Sequence, residues 1–153
     1  MLAAVSKAII SNVNDYQKQV ELFSHISTLE QEYPHFKEWY YNTVLPETRA
    51  GLRKIIVASI ENSIAGVLIL KNCKEKKICT LRVAPDYRHN GLGHLFMDVA
   101  IHELETAYPL ITVSDNHINE FEKLLNDYNF KLTGMYYEKY IDGHFELAFN
   151  GYL

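Results

Sequence analysis

Residues 54–60 and 64–70 are β-branched runs parted only by Glu61-Asn62-Ser63, and this spacing constrains the fold more than any other feature of the chain. Three polar residues leave room for a hairpin turn and little else, so the two runs lie side by side and antiparallel. The polar stretch 71–77 makes a second turn and residues 78–83 a third strand. A three-stranded antiparallel meander is therefore expected in the middle of the sequence.

Around it the pattern alternates between strand and helix. Residues 5–11 read as a short strand, after which Asn12 and Asn14 offer caps for a helix over 16–26. A second helical stretch over 29–44 is dense in aromatics (Tyr33, Phe36, Trp39, Tyr40, Tyr41), with Pro34 marking a start or break and Pro46 barring continuation. Beyond the meander, 92–105 is helical by periodicity, 110–113 is a short buried strand and 118–128 is helical again. Residues 130–137 and 144–149 form a closing hairpin around Asp142-Gly143. The order β-α-α-β-β-β-α-β-α-β-β, without repeats or a linker, predicts an α+β fold in a single domain over 1–153. Its core is a central mixed, mostly antiparallel sheet of about seven strands flanked by about four helices.

Composition narrows the function classes. The chain has 153 residues, 48% of them hydrophobic and 22% charged, enough to bury one core without metals or disulfides. A formal charge of -4 speaks against a broad nucleic-acid or acidic-membrane footprint. Cys73 and Cys79 have neither the number nor the spacing of a disulfide framework or zinc site and read as reduced thiols. The first fourteen residues lack the pattern of a secretory signal, and no apolar run approaches the ~20 residues of a membrane-spanning helix, so a cytoplasmic location is expected.

The segment richest in chemistry is Leu81-Arg82-Val83-Ala84-Pro85-Asp86-Tyr87-Arg88-His89-Asn90-Gly91-Leu92-Gly93-His94, between a predicted strand and a predicted helix. Gly91 and Gly93 let backbone approach a ligand closely, and the helix that follows presents unsatisfied N–H groups and the positive end of its dipole. That combination is an anion site suited to a diphosphate, with Arg88 adding charge at its rim. No Gly-Lys-Ser/Thr follows, which excludes a Walker loop. The glycine spacing and the antiparallel strands before it disfavour a dinucleotide fingerprint.

These residues resemble the signature of the GNAT superfamily of acetyl-CoA-dependent N-acetyltransferases, in which a strand ending V-x-P leads through Y-R into an R/Q-x-x-G-x-G/A loop. Val83, Pro85, Tyr87, Arg88, Gly91 and Gly93 match it, the element order matches over nearly the whole chain, and Phe130-Lys131-Leu132 is similar to the start of the family's sixth strand. The resemblance implies acetyl-CoA as co-substrate and no metal. It implies that the backbone amides of Leu81 and Val83 face the thioester and pantetheine, and that Arg88, His89, Asn90, Gly91, Leu92, Gly93 and His94 hold the diphosphate. It further implies that strands 78–83 and 110–113 splay apart to admit the cofactor. The acceptor it implies is a primary amine of a small molecule or peptide, and a homodimer is an assembly open to such a chain.

The sequence departs from the family at the catalytic positions. The tyrosine that many members use as general acid falls at Leu125, and the glutamate base of some members falls at Lys77. Tyr128, one helical turn from Leu125 on nearly the same face, is the candidate general acid; Cys79, Ser114 and Tyr136 are weaker candidates. His94, Asp98 and His102 recur at every fourth residue, but no second cluster completes a metal site. The aromatic stretch 33–41 has two readings, a border of the acceptor pocket or a helix face packed on the sheet, and Glu32, Glu38 and Glu47 are placed to attract a cationic amine. Two other functions fit the same motif: a non-catalytic acyl-CoA-binding or sensing module, and a toxin-like acyltransferase acting on aminoacyl-tRNA.

Overall fold

The computed structural model describes residues 7–153, apart from the side chains of Leu29 and Glu30. The first strand, β1 (Ile9–Asn12), lies C-terminal to its expected position, and Val5 and Ser6 of that expectation fall outside the described residues. Helix α1 (Tyr16–Ile26) is capped by Asp15 rather than by Asn12 or Asn14: the Asp15 carboxylate accepts the Gln17 N–H at 2.8 Å. Asn12 pairs with Ile56 of the neighbouring strand and is not available as a cap.

The second helical stretch is longer and less regular than its pattern suggests. A single turn at Leu29–Glu32 precedes Pro34, and a continuous helix, α2, then runs through Phe36–Trp39, a π turn at Tyr40–Val44 and a final α segment, Leu45–Arg49. Pro46 does not stop it. The π turn carries the Leu45 N–H back to the Tyr40 carbonyl, and Pro46 then falls in the first turn of the next segment, where a missing N–H costs little.

Strands β2 (Arg53–Ile60), β3 (Ser63–Asn72) and β4 (Lys76–Val83) form the expected meander. Glu61 and Asn62 both have positive φ (51° and 66°), the geometry of a two-residue turn whose twist matches the strands it joins. After a 3-10 turn at Pro85–Tyr87 come α3 (Leu92–Leu104), β5 (Leu110–Ser114), α4 (Ile118–Asp127), β6 (Leu132–Tyr137) and β7 (Phe145–Phe149). The closing pair is not a tight hairpin on Asp142-Gly143. Its last register pair is Tyr137 with Phe145, so residues 138–144 form a broad loop.

Among the described residues, seven strands make one sheet in the order β1-β2-β3-β4-β5-β7-β6, antiparallel at every junction but β4 with β5. Both faces are covered, which is why β2 and β3 read as unbroken apolar runs. Ile56, Ala58, Leu68 and Leu70 face Phe96, Met97, Ala100 and Leu104 of α3 and Leu125 of α4. The alternate residues Ile55, Val57, Val67 and Ile69 face Leu22 and Ile26 of α1 and Phe36, Tyr40 and Val44 of α2. Among the described residues, no helix is long and apolar enough to cross a membrane.

The single parallel junction is also the weakest. β4 and β5 pair only at Lys77 with Leu110 and Ile78 with Ile111, and then separate. One residue further along β4 the register with β3 shifts: Leu70 pairs with Ile78 and Ile69 with Thr80, leaving Cys79 as an extra residue. A bulge bends its strand and increases its twist, so β4 turns away from β5 just where the pairing ends. It also resets the alternation, placing Leu81 and Val83 with the α3-side core.

Candidate active site

The opening between β4 and β5 is lined by main-chain groups that have no partner strand. The Ala84 N–H donates to the Ala65 carbonyl of β3 at 2.8 Å, and successive residues of a strand point their N–H and C=O groups to opposite sides. The amides of Leu81 and Val83 therefore face the opening, while their side chains pack in the core. On the far side, Asp115 N–H donates to the Phe145 carbonyl at 2.9 Å, so the main-chain groups of Thr112 and Ser114 face the opening too.

Directly after β4 the chain builds a second set of free donors. Arg88 is exposed and extended, with its Nε donating to the Val83 carbonyl at 3.1 Å. His89 and Gly91 have φ of 63° and 87°, and Gly91 opens α3 with no side-chain cap. The helix begins with Leu95 N–H donating to the Gly91 carbonyl, so the amides of Leu92, Gly93 and His94 have no acceptor within the helix. Leu92 anchors the turn in the core, whereas Gly91 and His94 are exposed and Asn90 half-buried. A Cβ on Gly93 would lie 3.5 Å from Leu124, an ordinary contact, so internal packing does not demand glycine there. Uncapped amides at the positive end of a thirteen-residue helix fit an anionic group such as a diphosphate.

The structure brings Leu81, Val83 and the whole of Arg88 to His94 to one end of the opening. The other candidates are placed differently. Tyr128 ends α4 and turns its hydroxyl to α3, donating to Asp98 Oδ1 at 2.6 Å and lying 2.9 Å from the His94 carbonyl. Burial, followed by the Asp98 hydrogen bond, pushes this phenol up from its ordinary value. Leu125 is 1% exposed within the core. Cys79 faces the α2 side, where Arg53 Nη1 lies 3.0 Å from its sulfur, and burial pushes its thiol up. The Ser114 hydroxyl bonds to Asn116, and Tyr136 accepts the Leu153 N–H at 3.1 Å on the outer strand β6. His94 pairs with Asp127 at 2.8 Å, not with Asp98 or His102.

The aromatic stretch divides. Phe36 and Tyr40 are buried against Phe23, with Trp39 and Tyr41 packed beside them, which is a core role. Tyr33 instead leaves the helix and lies over the sheet, its hydroxyl 3.5 Å from both carboxylate oxygens of Glu146. The acidic residues also divide: Glu47 holds Arg53 at 2.6 Å, Glu38 lies 3.4 Å from His35, and Glu32 reaches Arg82 of β4 at 3.2 Å. Glu32 also lies 3.8 Å from His117, which follows β5, so the segment between α1 and α2 bridges the two strands that part.

Glu146 is the functional candidate that the sequence reading misses. It stands on β7 opposite Ser114 of β5, is 3% exposed, and accepts the Thr112 hydroxyl at 2.7 Å. Burial pushes its carboxyl above the usual carboxylate range, against the hydrogen bond from Thr112 and the charge of Lys77. Tyr140, from the loop 138–144, packs edge-on to Tyr33 with ring centroids 6.2 Å apart. A surface cavity of about 360 Å³ lies elsewhere, bordered by Tyr108, Lys131 and Tyr152 at the β6 edge.

Comparison with known proteins agrees with this architecture. The sequence matches the acetyltransferase (GNAT) domain family over residues 13–143. The chain belongs to the GNAT family and is an acyltransferase of that class. Among solved structures, a GNAT-family protein from Desulfovibrio desulfuricans superposes with a TM-score of 0.76 at 12% identity, covering 93% of this chain and 96% of that one. A ribosomal-protein-alanine N-acetyltransferase from Brucella melitensis gives 0.71 at 14% identity, with 95% and 99% covered. An aminoglycoside 6'-N-acetyltransferase in complex with coenzyme A gives 0.68 at 11% identity, with 92% and 94% covered. At such identities these likenesses speak for the fold alone. None of the curated proteins matches the chain in sequence.

Proposed function

We propose that the chain, as one domain over 1–153, transfers an acetyl group from acetyl-CoA to a primary amine of a small molecule or peptide by direct attack in a ternary complex. The observation that carries this reading is the pair of unpartnered amides, Leu81 and Val83, facing an opening that leads to the uncapped start of α3. Acetyl-CoA supplies the activated acyl group when bound. The amides of Leu92, Gly93 and His94, with Arg88, His89 and Asn90 around them, hold its diphosphate, and Gly91 lets the backbone close on it. The amides of Leu81 and Val83 orient the pantetheine arm and stabilise negative charge developing on the carbonyl oxygen. They are rigid because β3 holds the other edge of β4.

The test is thiol release from acetyl-CoA with a panel of primary amines, expected to be steady and amine-dependent. Binding of acetyl-CoA without release on any amine would sink the reading and favour a binding module.

Tyr128 is the remaining candidate for proton delivery to the leaving thiolate, but its hydroxyl already serves Asp98, and its raised pKa makes it a poorer acid. We therefore assign it chiefly to tying α4 to α3. Tyr128→Phe is expected to lower stability by about 1 kcal/mol through the lost hydrogen bond while kcat changes less than about threefold. A tenfold fall in kcat at unchanged stability would return Tyr128 to the role of acid.

A further inference from the structure

We infer that Glu146 is the residue that receives the acceptor: the amine enters as an ammonium beside the packed rings of Tyr33 and Tyr140, and a Glu146 carboxylate oxygen takes its proton. This rests on the amine-transfer reading above and names the site and substrate class within it, a cationic alkylamine with a slender chain.

The position follows from the sheet register. β4 and β5 pair at Lys77 with Leu110 and Ile78 with Ile111; because Cys79 is an extra residue in β4, Leu81 then comes level with Val113, one residue before Ser114. Ser114 pairs with Glu146, so the buried carboxylate and the Leu81 amide lie within one residue of the same level of the sheet, with β5 between them. Thr112, which borders the opening, donates to Glu146 at 2.7 Å and turns the carboxylate toward that side. The Glu146 side chain shares the sheet face of Thr112, the face covered by the α1–α2 segment and opposite the core that holds Leu81 and Val83. Acceptor and cofactor would thus approach from opposite faces.

The surroundings suit a cation. Tyr140 packs edge-on to Tyr33 at 6.2 Å and is 40% exposed, so aromatic surface is open to an ammonium, and the Tyr33 hydroxyl lies 3.5 Å from Glu146. The titratable groups around the carboxylate are Lys77 from β4, Asp115 beyond β5, Tyr33 from the α1–α2 segment with Glu32 close to Tyr33, and Tyr140 from the loop before β7. Asp115 is paired with His144 at 2.7 Å, and Glu32 with Arg82 at 3.2 Å. Glu146 is thus the acid group on this face left without a cationic partner in direct contact, among the described residues. Lys77, at the position where a base is missing, is near enough to bias Glu146 toward its ionised form.

The proton balance is simple. One N–H bond of the ammonium breaks, its electron pair stays on nitrogen, and Glu146 becomes a carboxylic acid. The second proton lost as the nitrogen becomes an amide balances the departing thiolate, and the Glu146 proton returns to solvent with product release. A carboxyl raised toward neutrality is matched to this task.

The experiment follows thiol release across pH with n-butylamine, putrescine, tyramine and Nα-acetyl-lysine amide as acceptors. Glu146→Gln keeps the size and the acceptor oxygen for Thr112, and removes a buried charge whose folded pKa is raised. That charge lowers stability as pH rises from the ordinary Glu range through the raised value, so the variant is expected to fold. The expected result is at least a hundredfold loss of kcat near neutrality with acetyl-CoA affinity unchanged, and disappearance of the acid limb of kcat/KM. Thr112→Val, which deletes the hydrogen bond favouring ionisation, is expected to move that limb to higher pH and supplies the answer should Glu146→Gln misfold. If the wild type acetylates none of the amines, the amine reading fails and takes this proposal with it. If it acetylates them while Glu146→Gln retains rate and acid limb, or Thr112→Val leaves the limb in place, the proposal alone is overturned.

Discussion

Gly91→Glu is expected to cut affinity for acetyl-CoA by more than a hundredfold while the protein remains folded. Two effects combine. The residue has φ of 87°, a conformation costing an L-residue roughly 1–2 kcal/mol, so part of the loss comes from the loop abandoning its shape. The rest is charge: a carboxylate at the mouth of α3 takes the place of the anion that the amides of Leu92, Gly93 and His94 are positioned to hold. Gly91→Ala separates the two contributions, because it keeps the strain and omits the charge. It should lose about tenfold, with stability lowered by about 1 kcal/mol. Calorimetric titration with acetyl-CoA checks both. Affinity of Gly91→Glu within threefold of the wild type would detach this loop from cofactor binding altogether.

That loop was legible in the sequence because its physics is local. Positive φ at a glycine, an uncapped helix start and a strand before it are all encoded within the fourteen residues from Leu81 to His94. The meander was legible for the same reason: the connector at Glu61 and Asn62 is too short for any other arrangement. Pro46 misled because its effect depends on hydrogen-bond register, and the π turn at Tyr40–Val44 moves that register by one residue without altering the apolar pattern.

Glu146 was hidden for a deeper reason. In Phe145-Glu146-Leu147-Ala148-Phe149 the alternation shows which residues share a face, but a lone glutamate in such a strand reads as pointing to solvent. Its burial depends on β7 inserting between β5 and β6, and on the α1–α2 segment crossing above it, neither of which follows from chain order. Tyr33 was concealed similarly, as one aromatic among five whose neighbours serve the core. Non-local pairing sets the proposed acceptor side of this site, whereas local turn geometry sets the proposed cofactor side.

Gly66→Val is expected to lower stability by about 3 kcal/mol, roughly 9 °C in Tm, and to weaken acetyl-CoA binding about tenfold as well. Gly66 lies in β3 directly opposite Val83. A Cβ there would come within 2.6 Å of the Phe96 ring and 2.8 Å of the Arg82 carbonyl, distances that packing does not tolerate. Phe96 is fully buried and sits just past the first turn of α3, so displacing its ring moves the start of that helix. The Arg82 carbonyl belongs to the stretch of β4 whose neighbouring amides, Leu81 and Val83, face the opening. One substitution therefore disturbs both sets of donors from behind, without touching either. Gly51→Ala supplies the comparison: its φ of 81° makes alanine strained, yet nothing lies within 4 Å of the new Cβ, so stability should fall while affinity holds. Thermal unfolding and acetyl-CoA titration of the two variants decide the matter. Equal affinities in both would mean that the position of α3 is not set by the contact of Phe96 with Gly66.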